Sequence, residues 1–147
     1  MKKQITFALI ALLCSITAMA IGKTTIDRTE LPLVSQEFLM AHFNGTKVST
    51  VKMEKHILKK YTYEVKLINK VEINFGHDGE WTEIDCKKGT VPSAIVPDPI
   101  RDYVKQHYSG AKIVKIKRSS GDYKIKLSDK TELSFNSHGK CTSMKAH

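Results

Sequence analysis

The sequence predicts an α+β protein. It reads as two tandem repeats, each a helix followed by a four-stranded antiparallel sheet, joined into one eight-stranded sheet with both helices on one face. Three observations lead there. Segments recur: His42-Phe43-Asn44-Gly45-Thr46-Lys47-Val48 lies over His107-Tyr108-Ser109-Gly110-Ala111-Lys112-Ile113 at an offset of 65, and Tyr63-Glu64-Val65-Lys66-Leu67 over Tyr123-Lys124-Ile125-Lys126-Leu127 at an offset of 60. The recurring strand segments alternate apolar and polar residues, the signature of a sheet buried on one face and wet on the other. Each copy also opens with apolar residues at helical spacing.

The first twenty residues are a separate object. Lys2 and Lys3 precede an apolar run from Ile5 to Met19, and Ala18-Met19-Ala20 has the small-x-small form a signal peptidase accepts. Residues 1–20 are therefore expected to be a cleaved secretory signal. The run falls short of the ~20 apolar residues a spanning helix needs, so no membrane anchor is expected after cleavage. Cys14 follows Leu13 inside the apolar run, the wrong context for lipid attachment. Residues 21–30 read as an N-terminal extension, 31–90 as the first repeat and 91–147 as the second.

In the first repeat, Pro32 stands at the head of a helix, and Val34, Phe38, Leu39 and Phe43 form its apolar stripe. Strands are expected at 47–55, 60–68, 71–75 and 81–85. In the second repeat, Asp98 is expected as N-cap with Pro99 as first helical residue, and Ile100, Tyr103, Val104 and Tyr108 form the stripe. Strands follow at 112–117, 122–128, 131–135 and 140–144. Gly45 and Gly110 suit left-handed C-terminal caps. Asn69-Lys70, Asp129-Lys130, Gly79 and Gly139 mark the tight turns. The change of offset removes five residues from the second copy between Ile116 and Tyr123, where a hairpin turn tolerates it.

Burial fixes the remaining geometry. A lone unit has little core and an exposed edge, so two units joining edge to edge is the expected solution. The face away from the helices is then open, polar and rich in lysine.

The chain carries a net charge of +9; without residues 1–20, 22 basic residues stand against 15 acidic ones, a net of +7. The basic residues are dispersed, which favours solubility and attraction to acidic surfaces. No nucleic-acid recognition motif is present, and an exported chain is not expected to meet nucleic acid. No Gly-rich phosphate loop, nucleophile elbow or cofactor motif occurs. His42 and His107 sit at helix C-termini, where the dipole favours them, without a second ligand at metal spacing. His77-Asp78-Gly79 and Ser137-His138-Gly139 hold too few carboxylates for a calcium loop. An oxidising compartment permits a bridge between Cys86 and Cys141. Cys141 aligns with Trp81, five residues before Cys86, and that odd spacing puts the two on opposite faces of regular strands. A bulge between Trp81 and Ile84 would relax that parity.

The segments His42-Phe43, Tyr63-Glu64-Val65-Lys66-Leu67, Glu72-Ile73-Asn74-Phe75 and Asp78-Gly79-Glu80-Trp81, with their copies, resemble the PepSY-like family, also described as beta-lactamase-inhibitor-like and found mainly in the envelope of Gram-negative bacteria. The resemblance spans the chain beyond residue 20. It implies helices packed on one face of an antiparallel sheet and a periplasmic location. The inhibitor relative grips its target with the concave sheet face, and the wider PepSY group is proposed to restrain proteases; neither role brings a residue motif that maps onto this chain. Cys141 departs from the pattern where the first copy has Trp81.

The expected function is therefore a non-enzymatic binding protein that recognises a protein partner through its open sheet face, with Glu64, Lys66, Lys124 and Lys126 outward and Trp81 beside a turn as candidate contacts. A core plug is the competing reading for Trp81. Small-molecule or ion binding is the alternative function.

Overall fold

The computed structural model describes residues 22–147, so the expected signal segment lies outside the described residues. Nine strands and two α-helices follow in order: β1 (Lys23–Thr25), α1 (Leu33–Phe43), β2 (Val48–Lys55), β3 (Tyr61–Leu67), β4 (Glu72–Phe75), β5 (Trp81–Asp85), α2 (Asp98–His107), β6 (Ile113–Ser119), β7 (Asp122–Leu127), β8 (Glu132–Phe135) and β9 (Cys141–Lys145). All nine strands form one open antiparallel sheet in which each strand pairs with the next in the chain. The expected eight strands gain a ninth from the N-terminal extension. There Lys23, Thr24 and Thr25 pair with Met53, Lys52 and Val51, covering the edge that β2 would otherwise leave open.

One register line explains the core. Thr25, Val51, Val65, Ile73, Ile84, Ile116, Ile125, Leu133 and Met144 are successive cross-strand partners over all nine strands. From Val51 to Leu133 these side chains are buried. They face the helices, and Leu39, Ile100 and Val104 close over them in a single apolar cluster. The junction of the halves is an ordinary ladder, with Glu83, Ile84 and Asp85 paired to Lys117, Ile116 and Lys115.

Corresponding positions recur across the halves. Tyr63 pairs with Phe75 as Tyr123 pairs with Phe135. Phe38 meets Phe75 edge-on at 5.8 Å, and Tyr103 meets Phe135 edge-on at 5.4 Å. The β4–β5 and β8–β9 turns each place a left-handed glycine, Gly79 (φ 82°) and Gly139 (φ 76°), under the head of a helix. A Cβ at Gly79 would lie 2.8 Å from the Pro32 Cβ, and one at Gly139 would lie 2.6 Å from the Pro99 Cβ. Ser35, fully buried, donates its hydroxyl to the Gly79 carbonyl at 2.6 Å.

Several local expectations are corrected. Val34 is exposed and Ser35 takes the buried position, because the head of α1 is clamped to the Gly79 turn. Pro97 is the N-cap of α2 and Asp98 its first residue; the Asp98 carboxylate instead pairs with Arg101. Gly110 is left-handed (φ 84°) as expected, whereas α1 leads on through Asn44 in helical conformation and Gly45 does not adopt a positive φ. The five-residue difference lies in the first hairpin of each half, three residues in its connection and one in each of its strands. Residues 56–60 join β2 to β3, while only Ser120 and Gly121, both at positive φ, join β6 to β7. That is a two-residue hairpin turn of the type whose twist matches its strands.

Candidate functional site

The face away from the helices has no covering element among the described residues. Two register lines run across it. The first joins Thr24, Lys52, Glu64, Asn74, Glu83, Lys117, Lys124, Ser134 and Ser143. The second joins Thr50, Lys66, Glu72, Asp85, Lys115, Lys126, Glu132 and Lys145. Alternation along each strand puts both lines opposite the apolar line that builds the core. Glu64, Lys66, Lys124 and Lys126 are thereby brought onto one continuous surface.

Charge is unevenly arranged along these lines. Between β3 and β6 the groups neutralise one another in a ladder. Lys66 lies 3.3 Å from Glu64 and 3.5 Å from Glu72; Lys87 lies 2.9 Å from Glu72 and 3.2 Å from Asp85; Lys115 lies 2.6 Å from Glu83. Hydrogen bonding from Lys87, with the charges of Lys87 and Lys66, holds the Glu72 carboxyl below the usual glutamate range against the opposing effect of burial. Burial pushes Asp85 upward, but the Lys87 backbone N–H and ammonium, with the charge of Lys115, outweigh it and leave the carboxyl below its ordinary value. Hydrogen bonds and charge from Glu64 and Glu72 raise Lys66.

Over β6–β9 the pattern changes. Lys115 stands directly opposite Lys126, and Lys117 directly opposite Lys124. A shallow depression of about 350 Å³ opens there, lined by these four lysines and Lys145. A larger cleft of about 860 Å³ lies at the edge of the fold, between the C-terminus of α1, the β3–β4 turn and the segment after β5. Cys86 contributes to its wall; burial pushes that thiol up to about 11, so it is a poor nucleophile.

Trp81 does not belong to the open face. It is 7% exposed and lies on the helix side, near Phe38, paired with Phe75 across a register shift in β4–β5. Arg118 covers its ring at 4.2 Å, donates to the Trp81 carbonyl at 2.6 Å and pairs with Glu80 at 2.8 Å. Sequence reasoning missed this junction, since nothing in the spacing of Arg118 points to a residue 37 positions away. Cys141 takes the position facing Phe135 that Trp81 takes facing Phe75. Cys86 and Cys141 are free thiols. Cys86 directly follows β5 and Cys141 opens β9, and those strands lie four strand spacings or roughly 19 Å apart, beyond the reach of a disulfide. Among the described residues, no group of three or more His, Cys, Asp or Glu side chains is placed to hold a metal ion, and no helix is long and apolar enough to cross a membrane.

Known structures share this fold closely. A "putative periplasmic protein of unknown function" from Bacteroides vulgatus is 37% identical with a TM-score of 0.80, the match covering 84% of this chain and 98% of that one. A "putative calcium-regulated periplasmic protein" from Bacteroides thetaiotaomicron is 38% identical with a TM-score of 0.79, covering 84% of this chain and 96% of that one. A second periplasmic protein from B. vulgatus, so described, is 35% identical with a TM-score of 0.80, covering 86% and 98%. No curated protein matches. Residues 60–142 match the family described as "Putative beta-lactamase-inhibitor-like, PepSY-like". With more than half of its length in that match, and with relatives of this identity along most of its length, the chain belongs to the PepSY-like family.

Proposed function

We propose that this is a periplasmic, non-enzymatic binding protein that recognises a partner protein through the open face of its sheet. The observation that carries the reading is the pair of polar register lines: a sheet spanning nine strands, buried by helices on one side, leaves the other side uncovered and charged. Glu64, Lys66, Lys124 and Lys126 are the contacts this reading assigns, and Trp81 is a structural residue. The location draws support from the relatives described as periplasmic, and a signal cleaved after Ala20 would deliver the chain there. The matching registers of residues 31–90 and 91–147 support a duplicated unit, which would widen one docking face without a new fold.

The test places a photo-crosslinking residue at Asn74 or Ser134 on the open face, and at Glu37 on α1 as control, in the protein expressed in its envelope. A discrete protein adduct from the sheet positions and none from Glu37 is expected. Adducts from Glu37 alone, or from no position, would sink the reading. The description of one relative as calcium-regulated favours an ion-binding alternative. That alternative predicts a calcium-dependent rise in melting temperature, absent with magnesium.

A further inference from the structure

Within the open face, the two halves are not equivalent in charge, and the differences fall at matched positions. Where β2–β3 pairs Lys52 with Glu64, β6–β7 pairs Lys117 with Lys124; where β2–β3 pairs Thr50 with Lys66, β6–β7 pairs Lys115 with Lys126. Asp85 in β5 corresponds to Lys145 in β9, and Glu83 to Ser143. Two adjacent lysine pairs therefore face each other directly. Such pairs oppose sheet formation, and opposite charges stand at the first of these positions in the other half. Lys115 and Lys117 are partly compensated by reaching back to Glu83 and Asp85 across β5–β6. Among the described residues, Lys124, Lys126 and Lys145 have no carboxylate within ion-pairing distance. The depression of about 350 Å³ lies among these side chains. A sheet that accepts this local repulsion at one place, having avoided it at the matched place, is specialised there for something other than its own stability.

We infer that the β6–β9 half of the open face is the docking surface for an acidic segment of the partner protein, whose carboxylates seat on Lys115, Lys117, Lys124, Lys126 and Lys145. This rests on the reading of the open face as the binding face and names the chemistry it selects. A continuous polyanion fits less well. Glu132 stands in the middle of the patch, between Lys126 and Lys145 in register, and Glu83 and Asp85 border it. A run of phosphates crossing the sheet would meet those carboxylates. A short protein segment with spaced carboxylates can seat them on the Lys115–Lys126 and Lys117–Lys124 pairs and pass Glu132 with a neutral residue, over about three strand spacings or roughly 15 Å.

The probe is a fluorescein-labelled decapeptide of alternating Glu and Ser, titrated with the whole protein by fluorescence anisotropy at low and physiological salt. A Lys-Ser peptide and a single-stranded decanucleotide serve as comparisons. The double variant Lys124→Glu/Lys126→Glu is set against Lys47→Glu/Lys105→Glu, which removes the same charge from outside the face. The acidic peptide is expected to bind, to lose about tenfold in affinity in the first variant and to change less than about twofold in the second. The first variant turns the Lys115–Lys126 and Lys117–Lys124 like pairs into opposite ones and sets one like pair, position 126 against Glu132, so its melting temperature should hold, separating lost binding from lost fold. Equal weakening in both variants would reduce the effect to net charge and overturn the inference. Tighter binding of the oligonucleotide with the same lysine dependence would also overturn it, by making the surface a polyanion site. Adducts from the open face that survive Lys124→Glu/Lys126→Glu would reject this inference alone; absence of any open-face adduct rejects the reading beneath it.

Discussion

Lys70 and Gly79 hold nearly the same backbone conformation, φ 73° and 82°, in turns of the same form. In both, an N–H returns to a carbonyl three residues earlier: Lys70 to Leu67 at 3.0 Å and Gly79 to Gly76 at 3.0 Å. What separates them is the space above. The Gly79 turn is roofed by Pro32 and Ser35, whereas Lys70 is exposed. Gly79→Ala therefore combines left-handed strain with a collision against a proline ring, and should cost about 2–3 kcal/mol in urea unfolding. Lys70→Gly relieves the strain and loses chain entropy. Its stability should stay level or rise by no more than about 1 kcal/mol. Equal losses from both substitutions would contradict this account. Glycine at the position was readable from the sequence as a turn. The reason it cannot be another residue was not, because Pro32 approaches from 47 positions away.

At the scale of elements, strands β2–β9 were legible to within two residues, since period-two alternation survives any context in which one face is buried. What escaped was set by tertiary contact. The strand β1 has only three residues and no alternation of its own, and it forms because β2 offers an unpaired edge. The stripe of α1 was misread at Val34 and Ser35, where a hydroxyl with a waiting carbonyl is buried in preference to an apolar side chain. The candidate binding lysines were legible as outward-facing. The distinction between the self-neutralised half and the lysine half was not, since it depends on which strands become neighbours. The Glu72–Lys87–Asp85 ladder on β4–β5 carries its own prediction. Both carboxyls titrate below their ordinary values of 4.5 and 3.8 in the folded protein. An unfolded chain takes up these protons first as the pH falls. Their contribution is therefore complete above those ordinary values and is lost as the pH drops through the lower folded ones. Stability measured by denaturant should fall across that acidic range, and Glu72→Gln should make the fall shallower. An unchanged acid limb in that variant would show that the ladder adds nothing.

For the whole molecule, one apolar cluster runs through both halves, and the β5–β6 ladder continues the sheet without interruption. A single cooperative transition is expected in calorimetry, with van't Hoff and calorimetric enthalpies in agreement. Arg118→Ala removes the stacking on Trp81 and the pairing with Glu80 that brace this junction on the helix side. It should cost about 1–2 kcal/mol while leaving one transition. Two separated transitions, in either protein, would mean that the halves fold as independent bodies. The strictly sequential strand order has a mechanical corollary. Among the described residues the first strand is one rim of the sheet and the last strand is the other, so tension between its two ends pulls at the rims and never shears a central pair. Hydrogen bonds so loaded open one after another, like a zip. The sheet would then yield strand by strand to a machine that tugs on either end.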